Sequence, residues 1–257
     1  MTSSLVLDII FSLDEVITHY RTKPLDYISY LLKYSGPNSL ISFLKKNKLA
    51  SKIDVGIITS DKEFCLFAIS LTLTDEGYNK VNEVIKLTFN YINLIKQEKI
   101  NEETYNEIYN ITKTQFKFMD KKSTYGEYLS SLALNMFQYE DPEIMYGDYI
   151  HRYFNQTLIQ EYVNNLAPEN AIIMIGSIGL PPKNITTLLF DKAENKTESW
   201  YGTKFIIQNL TKEYKKSLNV FNQNEHFQLR TKNIFITAES QIKTCLDENV
   251  KLKINFF

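Results

Sequence analysis

Apolar and polar positions change their spacing several times along the chain, and each change marks an element. Residues 5–11 (Leu-Val-Leu-Asp-Ile-Ile-Phe) form a short apolar run rich in β-branched side chains and read as a strand. Residues 25–34 are dense in Leu, Ile and Tyr and predict a helix that Gly36-Pro37 stops. Asn38 or Ser39 can cap a second helix through Leu40, Phe43 and Leu44 to Lys46. Two β runs follow at 53–59 and 64–73, joined by Ser60-Asp61-Lys62. In the second, Cys65, Phe67, Ile69, Leu71 and Leu73 alternate with Phe64, Leu66, Ala68, Ser70 and Thr72. The period of two marks a strand, and the apolar character of both sets places it centrally.

The strongest helical signal spans 74–99: Tyr78, Val81, Ile85, Thr88, Ile92 and Ile95 fall on one face. Thr74 is its cap, and Asp75 and Glu76 suit the positive first turn. Asn101 caps a helix to about residue 118. Another spans 124–137, with Leu129, Leu132, Ala133 and Met136 on one side. Asn155 caps a further helix in which Leu158, Tyr162 and Leu166 share a face, and 171–175 reads as a buried strand closed by Gly176. Helices come in bunches rather than singly between strands, so the expected class is α+β, a mostly antiparallel sheet with helices on one face. Pro181-Pro182 and residues 184–196 read as an exposed loop, and 227–257 as an extended strap.

With 257 residues, 44% of them hydrophobic and 23% charged, the composition is that of an ordinary globular chain. Basic and acidic residues number 29 and 30, so net charge supplies no reason to expect nucleic acid or an acidic membrane as partner. No apolar stretch reaches the roughly 18 residues of a membrane span, and the start, with Asp8 in its apolar run, does not read as a signal peptide. Two cysteines, Cys65 and Cys245, rule out a disulfide framework and favour an intracellular setting. Cys65, inside an apolar strand, is expected to be a small buried hydrophobe.

Candidate chemistry is sparse. His19, His151 and His226 are too far apart to write HExxH or HxxEH, so no local helical zinc site can form. GxGxxG, GxxxxGK[ST] and GxSxG are all missing. Glu102-Glu103 and Asp141-Pro142-Glu143 stand where helices begin, which assigns them to the helix dipole rather than to acid–base work. His151-Arg152 could bind an anion but fits a half-buried structural pair better. The residues alone thus predict an α+β domain with no catalytic residue and no metal ligand set.

Several strings resemble the insulinase or pitrilysin-type (M16) metallopeptidases, the family of insulin-degrading enzyme. Tyr34-Ser35-Gly36-Pro37-Asn38-Ser39-Leu40 is close to that family's H-E-G-P-x-S-L, and Leu73-Thr74-Asp75-Glu76-Gly77 to its L-T-x-E-G. Thr197-Glu198-Ser199-Trp200-Tyr201-Gly202-Thr203 matches T-E-x-W-Y-G-T and contains the single tryptophan. Leu166-Ala167-Pro168-Glu169-Asn170 resembles L-x-P-E-N. Phe116-Lys117-Phe118 with Asp120-Lys121 resembles F-R-F-K-D-K, and Thr231-Lys232-Asn233 with Phe235-Ile236 resembles T-K-N-x-F-I. The matches keep the family's order over about residues 5–240.

In that family, α+β modules of common descent form two bowl-like halves around a closed chamber, and the first module holds HxxEH and zinc. The resemblance is to the second, non-catalytic module. It implies one module over residues 1–240 and an extended linker over 241–257 towards the next module. It further implies chamber-wall and peptide-anchoring roles, no cofactor in this chain, zinc in the parent's first module, and as partners a catalytic HxxEH module in cis or trans and a peptide. The competing expectation is a catalytically dead insulinase-fold scaffold or assembly subunit. By the same resemblance the substrate-binding residues are Lys33 and Ser35 together with an edge strand Ile53, Asp54, Val55, Gly56 and Ile57, and Lys117 lies at a module interface. Two departures bear on the anchor: Ser35 and Tyr34 replace the family's Glu and His, removing a negative charge that Asp54 could restore.

Overall fold

The computed structural model describes residues 5–118, 125–177, 194–221, 226–231 and 233. A four-stranded sheet of β1 (Leu5–Leu13), β2 (Ala50–Ser60), β3 (Cys65–Leu73) and β4 (Ala171–Gly176) runs in the order β2-β3-β1-β4, and every pairing is antiparallel. Register follows the period of two. Leu5, Leu7, Ile9, Phe11 and Leu13 pair with Leu73, Leu71, Ile69, Phe67 and Cys65, and all ten are buried on one face. Helices α1 (Pro24–Leu32), α2 (Leu40–Lys46), α4 (Val81–Gln97) and α7 (Gln156–Asn164) contribute Ile28, Leu44, Phe89 and Val163 to the same core. Phe11 and Phe89 meet edge to face, ring centroids 6.1 Å apart. The α+β class and the helices on one face therefore hold. The opposite face carries Asp8, Ile10, Ser70, Asp54 and Gly56, with Ile172 and Met174 exposed beside them.

The helix starts are capped where Ser39, Thr74, Asn101 and Asn155 predict. Each side chain accepts from the backbone N–H three residues on: Ser42 at 3.2 Å, Gly77 at 3.0 Å, Thr104 at 2.8 Å and Leu158 at 3.0 Å. The span expected as one helix over 74–99 is two, α3 (Asp75–Asn79) and α4, broken at Lys80 with φ −110°. Thr74 donates its N–H to the Leu49 carbonyl at 3.1 Å, and a Cβ on Gly77 would collide with that same oxygen. The first turn is thus tied to Leu49, while α4 buries Val84, Ile85, Phe89 and Ile92 in the core.

Helices α5 (Glu102–Lys117) and α6 (Tyr125–Gln138) follow. The α6 stripe expected from Leu129, Leu132, Ala133 and Met136 is not a core stripe: Leu129 and Met136 are exposed, and Asn135 is buried, donating to the Ile144 carbonyl. Residues 194–196, expected in a loop, open strand β5 (Glu194–Thr197), which pairs with β6 (Lys204–Ile207). Its all-polar Glu-Asn-Lys-Thr run carries no alternation to read; the turn makes the strand, because Glu198 accepts from the N–H groups of Trp200 and Tyr201, both at 2.6 Å, and Gly202 takes φ 67°. Helix α8 (Lys212–Asn219), also unpredicted, is capped by Thr211 and buries only Tyr214 and Leu218. Pro181-Pro182 and residues 234–257 lie outside the described residues, and so does Cys245. Of the strap, Phe227 packs against Phe43 and Tyr91. Among the described residues no helix is long and apolar enough to cross a membrane.

Gly77→Ala is expected to lower stability by about 1–3 kcal/mol, since the added methyl has only the Leu49 carbonyl to displace. Urea denaturation of the two proteins measures it, and an unchanged midpoint would contradict the close approach.

Candidate functional site

Strand β2 closes one side of the sheet, so one row of its N–H and C=O groups has no ladder partner in the sheet. Register breaks lie between Ala50 and Lys52 and between Ile57 and Thr59, leaving Lys52–Ile57 as a regular stretch between two irregularities. Ile53, Asp54, Val55, Gly56 and Ile57 all fall within it. Val55, opposite Ile69, is buried; Ile57, opposite Phe67, is 44% exposed. A Cβ on Gly56 would meet nothing within 4 Å, so the space over that residue is open.

Lys33, at the end of α1, reaches this strand: its Nζ lies 3.5 Å from Asp54 Oδ1. Lys52 Nζ lies 3.9 Å from Asp54 Oδ2, and Asp54 Oδ1 also accepts the Val55 N–H at 3.0 Å. The charge that could meet a peptide ammonium is therefore shared with two exposed lysines, pairs of small individual worth. Ser35 is exposed on the turn after α1, and its side chain makes no hydrogen bond among the described residues. Lys117, exposed at the end of α5, lies 5.4 Å over the Phe118 ring. Lys33 and the strand are brought together by these ion pairs, and among the described residues no such pair joins Ser35 to them.

Beneath the C-terminal end of β2 is a cavity of about 110 Å³, walled by Ile57 and Ser60, by Tyr20, Lys23 and Asp26, and by Gln138 and Tyr139. The wall is braced from behind. Tyr20 donates to Glu143 Oε2 at 2.6 Å, and Tyr139 to Asp148 Oδ1 at 2.7 Å. Glu143 also takes Arg21 at 2.9 Å and Arg152 at 2.7 Å. Glu143 is buried, so the assignment of that carboxylate to a helix dipole gives way to one between two guanidiniums. His151 is buried too, its Nδ1 3.3 Å from Thr112 Oγ1 and its Nε2 3.3 Å from Asp26 Oδ2, off hydrogen-bond geometry. These two residues are structural, and Arg152 is paired with Glu143. Sequence reasoning missed the cavity altogether, because Lys23, Ser60 and Tyr139 come from three segments with no common motif.

Cys65 is buried as expected, and burial pushes its thiol up to about 11. Among the described residues no three His, Cys, Asp or Glu side chains gather to hold a metal. His19 meets Tyr162, His151 meets Tyr105 and His226 stacks on Phe43, three separate places, so these residues do not fit a zinc ion.

Residues 116–254 match the family model of the middle or third domain of peptidase M16, and residues 5–111 that of the peptidase M16 inactive domain. The chain belongs to the M16 peptidase family. It is 29% identical to human insulin-degrading enzyme over 224 residues, 87% of this chain and 21% of that protein. Human nardilysin is 28% identical over 258 residues, 96% of this chain and 21% of nardilysin. A nardilysin-like protein of Arabidopsis thaliana is 27% identical over 243 residues, 93% of this chain and 23% of that protein. The chain thus spans between a fifth and a quarter of these relatives. Pitrilysin has the same fold over 84% of this chain and 22% of its own, with a TM-score of 0.72 at 20% identity. The two M16 stretches meet at α5, yet β4 from the second pairs with β1 from the first. The chain is a non-catalytic insulinase-fold module.

Burial pushes the Glu143 carboxyl up, but the Tyr20 and Arg21 hydrogen bonds and the charge of Arg152 outweigh it and hold the group below the usual carboxylate range. A carboxyl depressed in the folded state stabilises the fold above its unfolded value and loses that contribution as pH falls through the folded one. Glu143→Gln should therefore melt at a lower temperature than the wild type at neutral pH, and the gap should close on acidification. Thermal melts across that range check it; a gap constant with pH would remove the charge from the account.

Proposed function

We propose that the chain is the second, peptide-holding module of a larger M16 zinc endopeptidase, with residues 1–240 as one module and 241–257 as the linker onward. The observation that carries this is the regular Lys52–Ile57 edge of β2, bounded by bulges and open over Gly56. A peptide adding as a further strand gains main-chain hydrogen bonds whatever its side chains, which suits a binder of many sequences. Lys33 reaches the strand, with Ser35 two residues beyond it on the turn, and Asp54, held by Lys33, is the acid available to a peptide ammonium. The partly open sheet face with Asp8, Ser70 and Asp54 is the wall offered to an enclosed peptide, and Lys117 is a contact to a neighbouring module. Hydrolysis belongs to a catalytic HxxEH module in cis or trans, whose histidines and carboxylate would hold zinc and whose bound zinc would supply the activation of water.

An alternating Val/Thr peptide labelled for fluorescence anisotropy tests the anchor. N-methylation of alternate peptide amides on the pairing edge should weaken binding about tenfold or more, while the complementary set binds as before. Gly56→Pro should also weaken it, with circular dichroism confirming the fold. Equal binding of both methylated sets would overturn strand addition. The purified chain supplied with zinc should leave the peptide intact, and cleavage would overturn the non-catalytic role.

A further inference from the structure

Resting on the edge-strand reading above, we propose that the cavity beneath the end of β2 is a subsite for a carboxylate of the bound peptide, with Lys23 as its counter-charge. A strand added to β2 lies roughly 4.8 Å beyond it, and alternate side chains project to the helix side, where Val55 and Ile57 point. Ile57 and Ser60 belong to the cavity wall, so a peptide residue near that end of the strand has its side chain directed there. In strand addition the backbone supplies affinity, and pockets for alternate side chains supply selectivity.

Size and chemistry narrow the occupant. A cavity near 150 Å³ is what an aromatic ring such as benzene needs, and this one is about 110 Å³. Both tyrosine hydroxyl protons are already given to Glu143 and Asp148. The Asp26 carboxylate is turned towards His151. Beside Asp26 stand the Lys23 ammonium, which can only donate, and the Ser60 hydroxyl and Gln138 carboxamide, which can donate or accept; none of these three has a side-chain hydrogen bond among the described residues. Lys23 is half-buried, has no carboxylate within 4 Å among the described residues, and feels Asp26 and Asp148 only from farther off. Burial pulls its ammonium below the usual lysine range, the mark of a charge short of compensation. Lys23 is the one cation in the wall and is without an ion pair among the described residues, and the Ser60 hydroxyl and Gln138 amide beside it can turn their donors to an anion that pairs with it. A carboxylate fits, from an Asp or Glu side chain or from the peptide's own C-terminus.

The probe is the alternating Val/Thr peptide with one Glu moved along its positions, each compared with Gln, and with free and amidated C-termini. Wild-type chain should bind Glu about five- to tenfold more tightly than Gln at one position, or the free C-terminus than the amide if the chain end enters. Lys23→Asn, chosen because Asn tolerates the φ of 46° found there, should erase that difference and leave the Gln peptide's Kd unchanged. Lys23→Arg should keep it. Peptides that bind with no such preference at any position, or a preference that survives Lys23→Asn, would overturn the subsite and leave the edge strand standing. Failure of every peptide to bind the wild type would overturn both.

Discussion

The pairing of β1 with β3 carries nine consecutive residue pairs, Leu5 with Leu73 through Leu13 with Cys65, and every second pair is turned into the helices. A slip of one residue would send Leu7, Ile9 and Phe11 to the other face and Asp8 into the core, so the register is heavily constrained. The constraint passes outward to the neighbouring strand. Val55 can be buried only opposite Ile69, which sets the alternation of β2 and turns Asp54 and Gly56 to the open side. With β3 and β1 in the interior, β2 is left as an edge, and the candidate site exists because of that position rather than because of any one reactive group.

The site is thus a matter of backbone availability trimmed by side chains. Lys33 from α1 shares with Lys52 the carboxylate that stands on the strand, and the irregularities at either end mark how much of the edge is straight. At its far end the strand meets a recess of mixed apolar and polar lining whose wall is held by the buried Glu143, which orders Tyr20, Arg21 and Arg152 at once. Removing one member of such a set exposes the others to uncompensated burial, which is why these contacts stiffen the recess more than their surface counterparts would.

Much of this was legible in the residues. Alternation in 64–73, the caps Ser39, Thr74, Asn101 and Asn155, and the bunching of helices led to the class and to most elements. The motif resemblance led to the family. What escaped reading has physical reasons. The turn before the break at Lys80 is held at Thr74 and Gly77 against Leu49, distant in sequence, and no local pattern announces that contact. Strand β5 is wholly polar and exists through the turn that Glu198 holds. Met136 and Leu129 look like core and are exposed, while Asn135 between them is buried, because a helix face is assigned by its neighbours and not by its own period. The edge position of β2 came from resemblance, since strand order is a property of pairing across the whole chain.

That β4 closes the sheet against β1 has a bearing on how the polypeptide acquires its shape. Ile9 finds Ile173 only after more than 150 intervening residues have been made, helices α3 to α7 among them. On the ribosome β1 emerges well before β4 and keeps one side unpaired until β4 is made, a topology of high contact order that folds slowly. A gene cut at the junction of the two M16 stretches would release a product with β1 as a second bare edge, so soluble expression calls for carrying the reading frame past Gly176.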